Sequence, residues 1–249
     1  MPAGHQTTPP VVIIGCGGHG RVVLDILRAT RTHEVVGFVD SNPATHGRWV
    51  DGVPVLGPPG MLPTWGEETG VEHAIVAGGH NGARRALADQ AAHWGFRLIN
   101  AVHPSAQIAG NVSLGRNIVI AAGALVCAHC QIGDSVILNT GCIVDHESLI
   151  GTATHICPGA RLAGRVTVES GAFVGIGATI IQNLRIGYEA TVGAGAVVIH
   201  DVAPMSTVVG VPARQIKAVE KQAELARWML PEQGLQSPAE PPLPVVQRE

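Results

Sequence analysis

One feature limits what this chain can fold into: an aliphatic residue recurs at every sixth position from 108 to 198. Sixteen consecutive positions fit without a gap, whereas an α-helix repeats about every 3.6 residues and a β-strand about every two. An unbroken period of six is typical of a parallel β-helix, whose coils stack to bury a continuous core. The sixteen residues are Ile108, Leu114, Ile120, Val126, Ile132, Leu138, Val144, Ile150, Ile156, Leu162, Val168, Val174, Ile180, Ile186, Val192 and Val198.

The other positions of each hexad agree with a narrow coil. The fourth residue after each aliphatic is mostly small or β-branched, as at Ala124, Cys142 and Ala178, so we expect one large and one small inward side chain per hexad. Glycine often follows the aliphatic residue directly. We expect these glycines at tight corners, because glycine tolerates unusual backbone angles. They are Gly115, Gly133, Gly151, Gly175, Gly187 and Gly193.

Composition excludes several classes of function. The chain has 249 residues, 14% of them charged, and a net charge of −3. Without a stripe of Lys and Arg, we expect no nucleic-acid partner. No apolar run approaches the roughly 18 residues that cross a bilayer, so we expect no membrane insertion. The first residues lack the apolar stretch of a secretory signal, which makes the cytoplasm the default location.

The five cysteines do not form a recognisable framework. Their odd number and scattered spacing argue against a set of disulfides. Cys127 and Cys130 form one C-x-x-C pair without an obvious second pair of ligands. Cys130 also falls on an inward position of its hexad, where a buried free thiol is common. We therefore predict no metal site.

The first hundred residues follow a different pattern. Residues 11–14 indicate a buried strand, followed by a glycine-rich turn and a helix. Further strands are expected over 34–39, 73–77 and 97–100, with a second helix over about 82–94, while the Pro- and Gly-rich residues 41–70 are expected to be irregular. This order predicts a small α/β domain with a parallel sheet. The predicted organisation is a disordered N-terminus at 1–10, a Rossmann-like domain at 11–105, a β-helix at 106–213 and a helix with a Pro-rich tail at 214–249.

The glycine-rich turn has the spacing of a phosphate site. Gly15, Gly17 and Gly20 fit G-x-G-x-x-G between a strand and a helix, where the backbone can approach a phosphate and the helix N-terminus presents free N–H groups. Asp40 ends the second strand and could bond a ribose hydroxyl. A domain of this size has too few strands for two mononucleotide halves, which favours one nucleotide sugar over NAD. A dinucleotide site and a turn without a ligand both stay open, and His19 is either near the phosphates or simply a surface histidine.

A second pattern lies on the β-helix. Val144 and Ser148 take the two inward positions of their hexad, so His146 and Glu147 point outward. His155 falls on another outward position. An outward histidine beside a carboxylate suits a general base, although solvated surface residues would show the same pattern.

The motifs around this histidine resemble those of a known family. The stretch from Asn139 to Glu147, then Ile150-Gly151, His155, Gly159-Ala160 and the ending Val209 to Arg214, is similar to the sialic acid O-acetyltransferase and nucleotide-amino-sugar N-acetyltransferase group of hexapeptide-repeat acyltransferases. The resemblance covers about residues 11–217. It implies a left-handed parallel β-helix with about three hexads per coil, hence about five coils, and a homotrimer that binds acetyl-CoA between neighbouring β-helices.

The resemblance also implies roles for individual residues. His146 would be the base and Glu147 would tune it. Acetyl-CoA, a co-substrate rather than a permanently bound cofactor, would contact His155, Gly164, Ile176 and Ala194. The nucleotide sugar would contact Gly17, Gly18, His19, Asp40, Ser41 and Gly79.

The expected activity is therefore acetyl-CoA-dependent N-acetylation of a nucleotide-linked amino sugar, for surface polysaccharide or glycan synthesis. Sugar O-acetylation of the sialic acid type stays open, because the same base serves an amine or a hydroxyl. A non-catalytic nucleotide-sugar-binding scaffold is a further alternative. A metal-dependent β-helix hydrase needs closely spaced histidines, whereas His146 and His155 are nine residues apart.

Stacking arithmetic adds one more expectation. With 18 residues per coil, residue n lies one rung, about 4.8 Å, below residue n+18. His129, Glu147 and Arg165 then form an outward column with Asn111 and Asn183 at its ends. Glu147 would lie between two cations on neighbouring rungs. The alternative is a solvated ladder of exposed charges.

Overall fold

The computed structural model describes residues 8–216, and these belong to one compact unit. An α/β sheet forms first, in the strand order β3-β4-β2-β1-β5-β6. All neighbours in it are parallel except β3 and β4. Its strands are β1 (Pro10–Ile14), β2 (Glu34–Val39), β3 (Trp49–Val50), β4 (Val53–Gly57), β5 (His73–Val76) and β6 (Arg97–Leu98), and its helices are α1 (Gly18–Thr30), α2 (Leu62–Thr69) and α3 (Asn81–His93).

The sheet is buried on both faces, as its apolar strands require. On one face, Val23 and Leu27 of α1 pack with β1 and with the first outward residues of the β-helix. On the other face, Leu62 of α2 and Ala88 of α3 pack with β1 and β5. Val22, the residue before Val23 on α1, is 38% exposed. The Rossmann-like N-terminal domain predicted from sequence is confirmed.

The prediction of an irregular segment at 41–70 was wrong. This segment contains β3, β4, α2 and two 3-10 turns, Pro43–Thr45 and Pro59–Met61. β4 extends the sheet beside β2, and its residues alternate between buried and half-buried. A proline cannot donate a backbone hydrogen bond to a neighbouring strand. Pro54 is tolerated in β4 because the strand on its outer side, β3, has only two residues. Prolines within and around such a short strand mask its alternation in the sequence.

The β-helix consists of two- and three-residue strands separated by turns. In chain order, β7 to β25 are Ala101–Val102, Gln107–Ile108, Ser113–Leu114, Val119–Ile120, Leu125–Val126, Gln131–Ile132, Ile137–Leu138, Ile143–Val144, Leu149–Ile150, His155–Ile156, Arg161–Leu162, Thr167–Val168, Phe173–Val174, Thr179–Ile180, Arg185–Ile186, Thr191–Val192, Val197–Val198, Thr207–Val209 and Arg214–Ile216.

These strands stack into three sheets. We call β7-β10-β13-β16-β19-β22-β24-β25 the first face, β8-β11-β14-β17-β20-β23 the second face and β9-β12-β15-β18-β21 the third face. Most neighbours are parallel and 18 residues apart, as Val119 and Ile137 are, so each coil visits the three faces in turn. The sequence prediction of a left-handed β-helix is confirmed.

The coils bury the aliphatic ladder that defined the repeat. Nearly all of its members are almost fully buried, together with small residues such as Ala178 and Cys142. Leu114 is 37% exposed because its strand begins the third face. The first rung already contains Ala101 and Val102, which pair with β10 ahead of the expected start at residue 106.

The glycines after the aliphatic residues have a different reason from the one expected. None of them has a positive φ; the positive φ values lie two residues later, at positions such as Gly177 and Gly195. A Cβ on Gly151 would lie 2.5 Å from the Ser170 nitrogen, and one on Gly175 would lie 2.6 Å from the Ala194 nitrogen. Close approach of successive rungs, rather than an unusual backbone angle, therefore requires glycine there.

The described chain ends in a strand. Arg214–Ile216 (β25) pairs antiparallel with β24, so the helix predicted from 214 does not begin at that residue; the remainder of that prediction, 217–249, lies outside the described residues. Pro10 belongs to β1 rather than to a disordered N-terminus, and residues 1–7 also lie outside. Among residues 8–216, no helix is long and apolar enough to cross a membrane.

Candidate active site

His146 lies on the corner between the second and third faces. Its neighbours Val144 and Ser148 are fully buried in the coil, which turns the imidazole outward, where half of its side chain is exposed. Nδ1 of His146 lies 3.1 Å from Oε2 of Glu147. Nε of Arg165, one rung above, donates to the same oxygen at 2.8 Å. The corner thus holds an imidazole, a carboxylate and a guanidinium in series.

The charges on this corner suit a general base. The hydrogen bond from Arg165, followed by that from His146, holds the pKa of Glu147 below its usual range. An ionised carboxylate beside Nδ1 favours the tautomer with its proton on that nitrogen, which leaves Nε2 to accept a proton. The arrangement can therefore remove a proton from a group that approaches the corner.

The predicted column is present, with one difference. Glu147 and Arg165 stack one rung apart and bond directly, and Asn111 bonds His129 at 3.1 Å. His129 is therefore engaged with the rung below rather than with Glu147. The two hydrogen-bond partners of Glu147 are Arg165 on the next rung and His146 beside it on the same rung.

Gly164 lies directly against the imidazole. A Cβ at this position would lie 2.5 Å from Nε2 and Cε1 of His146, so a side chain here would displace the ring. Among the described residues, none accepts the N–H of Gly164. A free backbone donor therefore lies next to the nitrogen that would accept a proton.

The glycine-rich turn of the N-terminal domain contains two kinds of glycine. Gly15 has φ +107°, and a Cβ on Gly20 would collide with the Gly15 carbonyl, so the turn itself requires both. Gly17 precedes α1 as its N-cap, Gly18 is its first residue, and a Cβ on either would meet no atom within 4 Å. The exposed backbone at these two positions is open to a ligand.

Asp40 organises this turn. Its Oδ2 accepts the Cys16 N–H at 2.8 Å, and its Oδ1 accepts the Asn42 N–H at 2.9 Å. The carboxylate thereby ties the glycine-rich turn to the loop after β2, on which Ser41 is exposed. Its predicted bond to a ribose hydroxyl stays a prediction.

His155 is not at the surface, although it points away from the coil. It lies on the first face, which the N-terminal domain covers, and it is only 9% exposed. Its ring lies 6.5 Å from that of His19, and its Nε2 lies 3.1 Å from Nδ2 of Asn139. The periodicity predicted its direction correctly, but it could not predict the domain that covers it.

The two histidines form a buried polar pair. Burial, followed by the charge of Arg84, lowers the pKa of His19 and of His155 to about 4 in each case. Both rings are therefore neutral near pH 7. Nε2 of His19 and Nδ1 of His155 are buried without a well-aligned hydrogen-bond partner in the described chain, although the Gly79 backbone lies beside His155.

Sequence reasoning missed Arg84, which is fully buried in the first turns of α3. Nothing in the local pattern separates it from Arg85, which is exposed and pairs with Asp89. The neighbouring Asn81 also joins α3 to the β-helix, because its Nδ2 donates to the carbonyls of Gly171 and Ala172.

The predicted residues fall into two groups on one chain. Exposed Ile176 and Ala194 stack 18 residues apart on the corner between the first and second faces, next to the face that carries His155 and the N-terminal domain. His146, Glu147 and Gly164 lie on the corner opposite the first face. Since the coil separates these groups, one chain does not bring the base to the glycine-rich turn.

Metal ligands are not clustered in the described part of the chain. Within residues 8–216, no group of three or more His, Cys, Asp or Glu side chains lies together. All five cysteines are free thiols, and Cys130 is buried as its hexad position predicts. Four of the five thiols, those of Cys16, Cys130, Cys142 and Cys157, are buried.

Comparisons with known proteins agree with this architecture. Residues 10–91 match the family model of the PglD N-terminal domain. PerB from Caulobacter crescentus, solved with CoA and GDP-perosamine, is 42% identical, with a TM-score of 0.79 over 84% of this chain and 97% of PerB. The acetyltransferase domain of PglB from Neisseria gonorrhoeae, solved with acetyl-CoA, is 35% identical, with a TM-score of 0.78 over 84% of this chain and 100% of that domain.

A third solved structure, WeeI from Acinetobacter baumannii AYE, is 26% identical, with a TM-score of 0.76 over 84% of this chain and 100% of WeeI. A comparison with curated proteins finds no match. The likenesses to solved structures cover both the α/β domain and the β-helix.

Proposed function

This chain belongs to the hexapeptide-repeat acetyltransferases that act on nucleotide-linked amino sugars. We propose that the two groups of residues described above are two halves of one active site for acetyl transfer, with His146 as the base. We call them the half-sites. The protein is an acetyl-CoA-dependent N-acetyltransferase. The observation that carries our assignment of the base is the series of Arg165, Glu147 and His146, which ends on an exposed imidazole nitrogen beside Gly164. Its product would serve surface polysaccharide or glycan synthesis.

The chemistry follows from the geometry of this corner. The sugar amine attacks the thioester carbonyl carbon, and Nε2 of His146 takes one amine proton as the C–N bond forms. Glu147 accepts the hydrogen bond that Nδ1 of His146 donates, and its charge stabilises the imidazolium. The N–H of Gly164 would donate to the developing oxyanion. The C–S bond then breaks, and the thiolate leaves and takes up the proton that the imidazolium returns.

The separation of the half-sites leads us to propose a homotrimer. His146 of one copy would meet the glycine-rich turn, His155, Ile176 and Ala194 of its neighbour. The corner with His146 and the corner with Ile176 border the second face, so that face would turn toward the molecular axis. Three of its six outward side chains are apolar, namely Leu125, Ile143 and Val197, and the other three are Gln107, Arg161 and Thr179. Such a mixed surface is compatible with burial between copies.

The activity is tested by thiol release from acetyl-CoA against a panel of nucleotide-linked amino sugars. Each sugar is paired with the analogue that has a hydroxyl in place of the amine. We expect release only with an amino sugar; release with the hydroxyl analogues alone would indicate O-acetylation. Binding of a nucleotide sugar without any release would indicate a scaffold and contradict the proposal.

The role of His146 is tested by His146→Ala. General-base help is typically worth about 10²–10⁴ in rate, so kcat should fall at least about 100-fold. Stability should change by roughly 0.5 kcal/mol or less, because the side chain is outward. A variant that keeps more than about a tenth of wild-type kcat at saturating substrates would remove His146 from this role.

We also propose the cytoplasm as the site of the reaction, because the proposed co-substrate acetyl-CoA and nucleotide-activated sugars are made there. Cell fractionation with an antibody against the chain tests this location. Recovery in the periplasmic or membrane fraction would contradict it.

A further inference from the structure

Arg84 is a buried cation without a carboxylate partner among residues 8–216. It is fully buried, and each of its bonds goes to a backbone carbonyl or to the side chain of Asn81. Burial lowers its pKa only to about 10, so it stays charged near pH 7. A buried charge is costly unless hydrogen bonds satisfy it, and such groups often mark functional sites.

The bonds of Arg84 join the two halves of the described chain. Nε donates to the Ser135 carbonyl at 2.7 Å and a terminal nitrogen donates to that of Ala153 at 3.0 Å, both on the β-helix. The other terminal nitrogen donates to the Gly78 carbonyl at 2.9 Å, in the turn that follows β5. The rung of Ala153 leads directly into β16 and His155. One guanidinium therefore ties the turn after β5 to the rung that leads into His155.

We propose that Arg84 is a positioning residue for the nucleotide-sugar half of the site, acting through His19 and through His155, the acetyl-CoA residue whose ring lies beside it. This inference rests on the proposed function. The guanidinium acts in two separable ways: its hydrogen bonds hold the Gly78-Gly79 turn against the coil, and its charge adds to the burial that keeps both histidines neutral. A neutral imidazole can accept a hydrogen bond from a sugar hydroxyl or amine, whereas an imidazolium cannot.

The charged surroundings of the histidines contain few other groups. His19 has Arg84 as its charged neighbour, and His155 has Arg84 and His19. His155 also lies beside the Gly79 backbone, which opposes the lowering of its pKa, and beside the amide of Asn139 and the ring of Phe173. Because no described carboxylate balances it, the charge of Arg84 opposes protonation of both rings.

Two substitutions separate the two actions. Arg84→Lys keeps the charge but loses the planar fork that reaches several carbonyls together. Arg84→Gln removes the charge but keeps an amide that can donate to one or two of them. Arg85→Gln is the matched control, since Arg85 lies next to Arg84 on α3 and is exposed.

The experiment measures kcat/KM for the amino sugar that the wild-type enzyme turns over, from pH 5.5 to 8. Each value is divided by the wild-type value at the same pH, so that the ionisation of His146 cancels. Both Arg84 variants should raise KM for the sugar about tenfold or more. The ratio should fall further with decreasing pH for Arg84→Gln, because its histidines protonate at higher pH, and should stay flat for Arg84→Lys and Arg85→Gln.

The outcomes distinguish this inference from others. Absence of wild-type turnover would contradict the proposed function itself. If both Arg84 variants lose activity only in proportion to lost folded protein, with KM and pH dependence unchanged, Arg84 merely stabilises the fold. If Arg84→Gln does not fold, Arg84→Lys decides: an unchanged KM for the sugar, measured on folded enzyme, overturns the positioning role.

Discussion

At the scale of single residues, the proposed chemistry depends on where the proton of one imidazole lies. The carboxylate of Glu147 lies against Nδ1, and Arg165 holds that carboxylate from the next rung. Side chains one rung apart are separated by about the strand spacing, so this contact is a direct product of the 18-residue coil. The proposed role of this contact depends on the ionisation of the Glu147 carboxyl, whose pKa is lowered.

Arg165→Ala should therefore alter the pH dependence more than it alters binding. Without the guanidinium, the pKa of Glu147 rises toward its usual value, and the carboxylate that orients His146 is lost at a higher pH. The acidic limb of the pH–rate profile should shift to higher pH, and kcat should fall about threefold to tenfold with little change in either KM. The control is Arg185→Ala, which removes an ion pair with Glu169 on the third face. If both variants have the same pH–rate profile, the contact between Arg165 and Glu147 has no role in catalysis.

Gly164→Ala should move the base without unfolding the coil. The new Cβ would overlap the imidazole, which is exposed and free to swing away. A small displacement of a catalytic group can cost about 10²-fold, so kcat should fall about tenfold to 100-fold. Gly110→Ala is matched, because Gly110 occupies the same corner three rungs below Gly164 and a Cβ there meets no atom within 4 Å. Unchanged kcat in the Gly164 variant would show that the ring does not work from this position.

At the scale of structural elements, the coil depends on two classes of glycine that a sequence pattern does not separate. One class allows successive rungs to approach each other, and the other adopts a positive φ at the corners. Corner positions also hold Asn117 and Asn183 with φ of 57° and 62°, since asparagine tolerates that region. The first class has no such substitute, because any Cβ meets backbone.

Gly151→Ala should destabilise the protein more than Gly123→Asn. The Cβ at 151 would lie 2.5 Å from backbone nitrogen, whereas at 123 the nearest atom is at 3.8 Å. We expect a loss of about 2 kcal/mol or more for the first change and within about 1 kcal/mol for the second. Urea unfolding at equal protein concentration measures both. A larger effect at 123 would assign the greater constraint to backbone angle.

At the scale of the whole molecule, the two half-sites lie on opposite sides of one coil. The N-terminal domain covers the first face and buries His155 there, whereas His146 occupies the opposite corner. An active site that needs both groups has to be completed by a neighbouring copy. This requirement distinguishes the proposed trimer from an assembly in which each chain works alone.

Mixing two impaired variants should restore activity when the sugar concentration is well below the KM of the His19 variant. His19→Ala should impair only the sugar half-site, mainly through KM, and His146→Ala only the base. In a randomly mixed trimer, each site combines a sugar half from one copy with a base from the next, so about one quarter of the sites are intact. Thiol release from co-expressed variants, compared with each variant alone, measures this recovery. No recovery in trimers shown to contain both variants would place the whole site within one chain.

The sequence by itself determined the elements whose cause is local. A period of six specifies the coil, the strand–turn–helix of residues 10–30 specifies the start of the Rossmann-like domain, and the hexad register places His146 and Glu147 outward. Residue spacing even predicted that Glu147 and Arg165 would meet. The short strand β4 escaped prediction because prolines hide an alternation of only five residues.

The tertiary structure decided what depends on one element covering another. His155 and Arg84 have polar patterns that suit a surface, yet the contact between the N-terminal domain and the first face buries both. Desolvation and the buried guanidinium then set the charge of the histidine pair. The position of the base relative to the sugar half-site likewise depends on how the three faces of the β-helix meet. Hexad spacing specifies the direction of a side chain within its coil, but burial depends on residues about 50 to 150 positions away, which no local pattern encodes.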